Sequence, residues 1–465
     1  MKGVDKNYQL KELKTNKIGI YTGKYALFPY SFVFLKKIRG ANFMGRDIDT
    51  TKHLIELIKT TVGKIVGKTT GREFKFIFDM VFGIMKKSSV VLSDIAHGLG
   101  EDASIKTIVD RLYNNLLRIR DSTENHALIN VALKLMGEEK VFAVDNSDIQ
   151  KPYGVHFEAL MRVRDGSSIN DNTYNMGYVI SSIVGMSKNY KHPICLYDHV
   201  HNSNESNYLS ENHITHIGLN MVIEHLKDYE GIFIFDRGYD DQKLLKLLLT
   251  KKQYFVVRMH NNRWLCYKNK KIKAFDLAEK RKGKIVVPLT YKGKETYVKA
   301  SHVTSKINGI KEPLTIVFSY LETSNKPMIL ITNKIIKSKE DLIKVVLHYH
   351  SRWKIEEHFR FKKVQYNIEN FRVKALESIN SLFFIVDVLI LVLVTIIERQ
   401  NTNLLYKEIM NHAKVIREDT YIQFYKLASG IIDLLGANKT GVKNYQNIRK
   451  EKLDYVPLFK IKDFD

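Results

Sequence analysis

The chain has 465 residues, a formal net charge of +24 and a pI near 9.6. That length accommodates two to four domains with a sizeable core, and 44% apolar residues exclude a disordered chain. A globular chain this basic points to a nucleic-acid partner, with an anionic membrane surface as the lesser alternative. The two cysteines, Cys195 and Cys266, are far apart and in no ligand spacing. They argue for a reducing compartment and against a zinc cluster or a disulfide framework. The first residues lack the order of a signal peptide.

Residues 1–70 carry 14 Lys/Arg against 5 Asp/Glu and read as a basic arm with short elements. Helical patterning starts near Thr70, where Phe76, Ile77, Met80, Val81 and Ile84 recur at helical spacing. Leu92, Ile95, Ala96 and Leu99 then form a short helix face. Gly98 and Gly100 supply a turn, and Ser104 suits the N-cap of a second helix. The pattern fits a helix-turn-helix with Lys106 and Arg111 toward DNA, and equally an ordinary helical hairpin.

From Val141 the pattern changes. VFAVD is a short apolar run ending in Asp145, and GIFIFD is a second one ending in Asp236. Continuous apolar runs of this length suit strands covered on both faces, and open α/β sheets place their sites at strand ends. Residues 177–186 and 193–197 read as two strands forming a meander with the first. Residues 212–226 read as a helix, 240–249 as another, and 254–258 and 328–332 as strands. Three strands, helix, strand, helix, strand, an insertion and then a helix is an order that fits an RNase H-like sheet. Asp148 competes with Asp145, but Asp145 directly ends the apolar run. Either could merely cap a turn. Asp236, followed by Arg237, could likewise cap a helix.

Residues 261–326 hold 15 Lys/Arg against 5 Asp/Glu and several β-rich runs. Trp264 within them suits a core position or stacking on an exposed base, the core being the better fit for a tryptophan. Residues 382–397 are almost wholly apolar but short for a membrane span, and Asp387 interrupts them. They read as a buried core helix. The tail beyond Arg399 reads as helices with scattered charge.

The segment YHSRWKIEEHFRFKK, residues 349–363, lies in a helical pattern expected to run from Ser338, as N-cap, to Val364. On one continuous helix Tyr349, Arg352, Glu356 and Lys363 fall within a stripe roughly 60° wide and roughly 21 Å long. Glu357 points about 100° away. A carboxylate between two cations suits a site that holds a metal and a phosphate together. A solvated helix with i,i+4 pairs would carry similar charges. The interleaved Trp353, Ile355, Phe359 and Phe361 argue against that.

The spacing Y-x2-R-x3-E-x6-K, extended by RWKIEE, resembles the signature of the insertion sequence 4 group of DDE transposases, bacterial cut-and-paste enzymes. IFDRGYDDQKLL resembles the same group's second acid with its D-R dipeptide. The resemblance implies that Asp145, Asp236 and Glu356 are catalytic and hold two Mg²⁺ or Mn²⁺ ions. Carboxylate oxygens are suitable ligands for either. It further implies that Tyr349, Arg352, Lys363, Arg237 and Arg258 meet DNA phosphates. Double-stranded DNA, both transposon ends and target, would be the partner, with cleavage passing through a hairpin on a homodimer. No membrane is involved, and a bacterial cytoplasm, on the nucleoid, is the expected location. Asn146 departs mildly from the group, where Asp or Gly is usual.

These readings divide the chain into a basic arm (1–70), a helical DNA-binding region (71–135), a first core segment (138–259), an inserted β-rich subdomain (260–326), a second core segment (327–400) and a helical C-terminal region (401–465). The fold class expected is α/β, an RNase H-like mixed sheet with a β-rich insertion and helical ends. The alternative function is a non-catalytic DNA-binding regulator or inhibitor derived from a transposase.

Overall fold

In the computed structural model the described residues are 32–67, 71–119, 122–164, 173–188, 192–206, 208–227, 229–291, 294–322, 324, 326–398, 404–414, 423–437 and 442, with side chains from Asp49 onward except at 122–124, 291 and 294. The chain divides into two units, residues 1–47 and residues 48–465. Residues 1–31 and 68–70 of the expected basic arm lie outside the described residues. Where it is described, the expectation of short elements fails: one helix, α1, spans Phe32–Val66. Leu54, Ile55, Ile58, Val62 and Ile65 recur at helical spacing within it and are all buried.

Helices α2 (Gly71–Lys87), α3 (Leu92–Leu99), α4 (Ile105–Leu116) and α5 (Ser122–Leu135) follow. The expected punctuation is present. Gly100 ends α3 in the left-handed region at φ 59°, and the Ser104 hydroxyl accepts the Thr107 N–H at 3.2 Å. Gly83 lets α2 meet α3, since a Cβ there would stand 2.5 Å from Ile95 Cγ2. Lys106 is exposed, as a DNA contact requires. Arg111 is not turned outward. Its guanidinium forks onto Glu101 at 2.7 and 3.0 Å, with buried Asp79 3.6 Å away, so internal pairing claims it.

The sheet begins with β1 (Lys140–Gln150), β2 (Met161–Arg164), β3 (Tyr174–Met186) and β4 (Pro193–His201). After α6 (Glu211–Leu226) come β5 (Gly231–Phe235), α7 (Gln242–Thr250) and β6 (Tyr254–Arg258). β1 pairs antiparallel with β3, and β3 with β4, as the meander predicts. On its other edge β1 pairs parallel with β5, and β5 parallel with β6. β2 is an unexpected strand sharing an edge of β3 with β4.

The insertion holds β7 (Trp264–Tyr267), β8 (Lys270–Lys273), α8 (Ala274–Lys280), β9 (Ile285–Tyr291), β10 (Lys294–Ile307) and β11 (Leu314–Leu321), and is followed by β12 (Met328–Thr332). Its strands continue the same sheet. β12 pairs with β6, β11 with β12, and β10 with β11, making a sheet of twelve strands among the described residues. Lys268 and Asn269, both at positive φ, make the two-residue turn between β7 and β8. Trp264 on this hairpin is 46% exposed, with the Lys271 and Lys273 ammonium groups 4.8 and 5.6 Å from its ring. The preference for a core tryptophan is thereby overturned, because the alternation of β7 turns Leu265 into the core and leaves Trp264 on the uncovered face.

Helices α9 (Lys339–His350), α10 (Trp353–Gln365), α11 (Leu376–Glu398), α12 (Leu404–His412) and α13 (Gln423–Ala437) complete the described chain. Among the described residues, α11 is long and apolar enough to cross a membrane, but 89% of its apolar window is buried within the fold. It is the core helix that its composition predicts. The expected single helix from Ser338 to Val364 is instead α9 and α10. Ser338 does cap α9, in a reciprocal box with Asp341. The break falls at Ser351 and Arg352. There the N–H groups of Arg352, Lys354 and Ile355 bond three residues back, each at 3.0 Å. The Ser351 hydroxyl also donates to the His348 carbonyl at 2.6 Å, competing with the helical ladder.

Candidate active site

The parallel register of β1 and β5 places Val144 beside Phe235. The next residue on each strand is an acid, so Asp145 and Asp236 are neighbours across strands about 4.8 Å apart. Asp145 does not end its strand, as the apolar run suggests. It sits mid-strand in β1, which continues to Gln150 because β3 goes on pairing with it after β5 has stopped. No turn exists at Asn146. Its amide donates to Glu211 on α6 at 3.3 Å and its carbonyl accepts the Tyr239 hydroxyl at 2.9 Å. These partners tie β1 to α6 and to the short turn after Asp236. Sequence reasoning missed them, although Tyr239 lies inside the quoted DRGYDD run.

Arg352 connects the third acid. Arg352 Nη1 reaches Asp145 Oδ2 at 2.8 Å, and Nη2 reaches Glu356 Oε1 at 2.5 Å. One guanidinium therefore joins a strand acid to a helix acid. The Tyr349 hydroxyl donates to Asp236 Oδ1 at 3.1 Å, and Arg258 Nη1 lies 3.5 Å from the same oxygen. Asp145, Asp236, Glu356, Tyr349, Arg352 and Arg258 thus form one cluster. Glu357 faces elsewhere and pairs with Arg360.

Two of the expected residues stand apart. Lys363 lies 3.8 Å from Asp148 and 3.2 Å from Glu369, further along β1. Asp148, the competitor of Asp145, is committed to that side and also accepts from the Gln150 amide at 2.9 Å. Arg237 supplies its backbone N–H to Asp236. Its own Nε is buried with no hydrogen-bond partner.

The acids differ in their electrostatics. Burial pushes the Asp145 carboxyl up to about 6, outweighing the attraction of Arg352. Burial also opposes ionisation of Asp236, but Arg352, the Arg237 amide, Arg258 and the Tyr349 hydroxyl together hold it below the usual carboxylate range. Burial and Asp236 both raise the Tyr349 phenol, so it remains a neutral donor.

A second charged group anchors α10. Lys362 contacts both Asp198 of β4 and Asp387 of α11, all three nearly inaccessible to solvent. His358 Nε2 is 3.9 Å from Asp198. Cys195, Asp198, His358 and Asp387 lie close enough to share one ion. They do not fit a metal centre, because the Lys362 ammonium already occupies the space between the two carboxylates. Burial favours neutral Asp198, yet Lys362 and His358 overcome it and keep that carboxylate ionised. Burial and Asp198 instead raise Asp387. The pin fixes α10, and with it the face that carries Glu356.

Residues 138–393, which include all three acids, match the family described as transposase DDE domain. The chain belongs to this family. A comparison with curated proteins found no match. Membership makes the protein a transposase and implies DNA as its partner and a divalent metal for its chemistry. The donor set fits such a metal: Asp145, Asp236 and Glu356 offer carboxylate oxygens only, and they converge where a cationic guanidinium is accommodated. In this transposase the buried Cys–His–Asp group has no comparable opening.

Proposed function

We propose that this transposase belongs to the insertion sequence 4 group and is an active cut-and-paste enzyme. The observation that carries the proposal is the bridge from Asp145 through Arg352 to Glu356, with Asp236 on the adjoining strand. Tyr349, Arg352 and Glu356 of the motif thus belong to one constellation with Asp145 and Asp236, while Lys363 stands further along β1. The RNase H-like reading of the sheet is supported by its central order, β4-β3-β1-β5-β6, antiparallel on one side of β1 and parallel on the other.

Asp145, Asp236 and Glu356 would hold two Mg²⁺ or Mn²⁺ ions. When bound, the metal would supply activation of water for in-line attack and stabilisation of the leaving 3′ oxygen. The protein's own residues do the positioning. The two strand acids are held by main-chain register, and the helix acid by the Lys362 pin. Tyr349 offers a neutral hydroxyl donor, and Arg352 a planar fork suited to a phosphate. Arg258, Arg237 and Lys363 extend the cationic track. The freed 3′-OH would attack a phosphodiester of the opposite strand, expelling the flanking DNA with its own 3′-OH and closing a hairpin. Water would reopen the hairpin, and the restored 3′-OH would attack a target phosphodiester, expelling a target 3′ oxygen. A homodimer holding two ends, in a bacterial cytoplasm on the nucleoid, completes the proposal.

The test is direct. The purified protein is incubated with Mg²⁺ and duplexes carrying the inverted repeats that flank its gene. Cleavage at the repeat boundary, followed by a hairpin product, is expected. Binding without cleavage at any divalent concentration would favour a transposase-derived regulator instead. All three acids are present, which speaks against that reading.

Lys363→Ala tests the phosphate track. A phosphate-binding lysine carries no base information. The variant should weaken binding to every sequence and reduce the salt dependence of the affinity by about one counterion. An unchanged slope in titrations across salt concentrations would remove Lys363 from the DNA interface.

A further inference from the structure

In this structure the side chains best suited to phosphate are already satisfied by carboxylates. Arg352 forks between Asp145 and Glu356, and Lys363 sits between Asp148 and Glu369. The Arg352 pairing is the consequential one, because its partners are two of the three proposed metal ligands. We infer that Arg352 is an internal counter-ion of the acid site, displaced jointly by a divalent cation and a DNA phosphate, so that metal loading and engagement of the DNA end are coupled in this chain. The inference rests on the proposed metal roles of the three acids.

Metal and guanidinium exclude one another at these oxygens. Asp145 Oδ2 and Glu356 Oε1 each accept a hydrogen bond from one guanidinium, at 2.8 and 2.5 Å. Mg²⁺ takes such oxygens at about 2.0–2.1 Å. A guanidinium cannot remain between two carboxylates that have turned onto a dication, since it would meet a like charge within a few ångströms. Conversely, a guanidinium clamped by two carboxylates cannot present its fork to phosphate. Each ligand therefore removes a competitor of the other. Such a coupling is reciprocal by thermodynamic necessity.

The local structure permits the exchange. Arg352 stands in the break between α9 and α10, outside the regular ladder of either helix. The Glu356 side chain is 53% exposed and free to turn. Asp145, by contrast, is held in a strand paired on its β3 side. Movement thus falls on Arg352 and Glu356 while the strand acids stay in place.

The experiment is a Mn²⁺ titration of the full-length, DNA-free protein, followed by paramagnetic resonance of the free ion. Arg352→Gln should bind Mn²⁺ about tenfold to a hundredfold more tightly than the wild type, the range expected for removing charge-assisted hydrogen bonds to the ligands. Arg352→Lys, whose single ammonium cannot span both carboxylates, should bind severalfold more tightly. It guards against misfolding of the first variant. In the wild type, a duplex already ending at the terminal repeat should tighten Mn²⁺ binding, and in Arg352→Gln that gain should shrink. Asp236→Asn separates the two levels of the argument. If Asp236→Asn abolishes Mn²⁺ binding but neither Arg352 variant binds more tightly than the wild type, the counter-ion inference is overturned and the metal site stands. If Mn²⁺ binding ignores Asp236→Asn as well, both are overturned.

Discussion

Glu356→Ala is expected to abolish cleavage at the transposon end while leaving the fold and DNA binding in place. The Glu356 side chain is half exposed and its partner is Arg352 on the same helical segment, so its removal costs little stability. It does remove one of three oxygen donors from the proposed metal site. The expected loss of cleavage is at least the roughly 10²–10³-fold that follows removal of a single group stabilising a reacting oxygen. Cleavage is read on end-bearing duplexes with Mg²⁺, and binding by mobility shift on the same DNA. Normal cleavage by the variant would end the role assigned to Glu356 and return attention to Glu357. Glu357 pairs with Arg360 and faces away from the strand acids.

Lys362→Met should be the most destabilising single change in the catalytic region. The lysine is buried between Asp198 and Asp387, and its loss leaves the ionised Asp198 carboxylate buried beside Asp387 without its cation. Breaking a buried pair by removing one partner costs about 3–5 kcal/mol. The loss is measured as a fall in the denaturation midpoint. Lys362→Met combined with Asp387→Asn should recover part of it, because burial and Asp198 already disfavour the charge on Asp387. A midpoint unchanged in the single variant would show that α10 is held by its apolar contacts alone.

Several features were legible in the residues because they are local. Ser104 and Ser338 cap their helices, and GIFIFD is a buried strand with its acid at the end. The apolar run after residue 376 is a core helix although Asp387 interrupts it. The sequence could not show why that interruption is tolerated, since the compensating Lys362 lies on another helix. Other readings failed where a local pattern is ambiguous. Arg111 sits at a position that would suit DNA contact, yet it pairs inward with Glu101 and Asp79. Trp264 has the composition of a core residue but lies on a basic hairpin. The interruption at Ser351 is a hydrogen-bond competition that side-chain periodicity does not register.

The chain itself determined which residue types are available for the chemistry: two acids at apolar runs and a third at a set interval from a tyrosine, an arginine and a lysine. Those are matters of order along the backbone, and order is what a sequence contains. Only the tertiary structure decided that Val144 registers with Phe235, which makes Asp145 and Asp236 neighbours. It also decided that Arg352 reaches the Asp145 carboxylate as well as Glu356 on its own helical segment, and that the inserted strands prolong the central sheet. Strand register and side-chain pairing between distant segments are set by which faces can be buried together. That competition involves the whole fold at once.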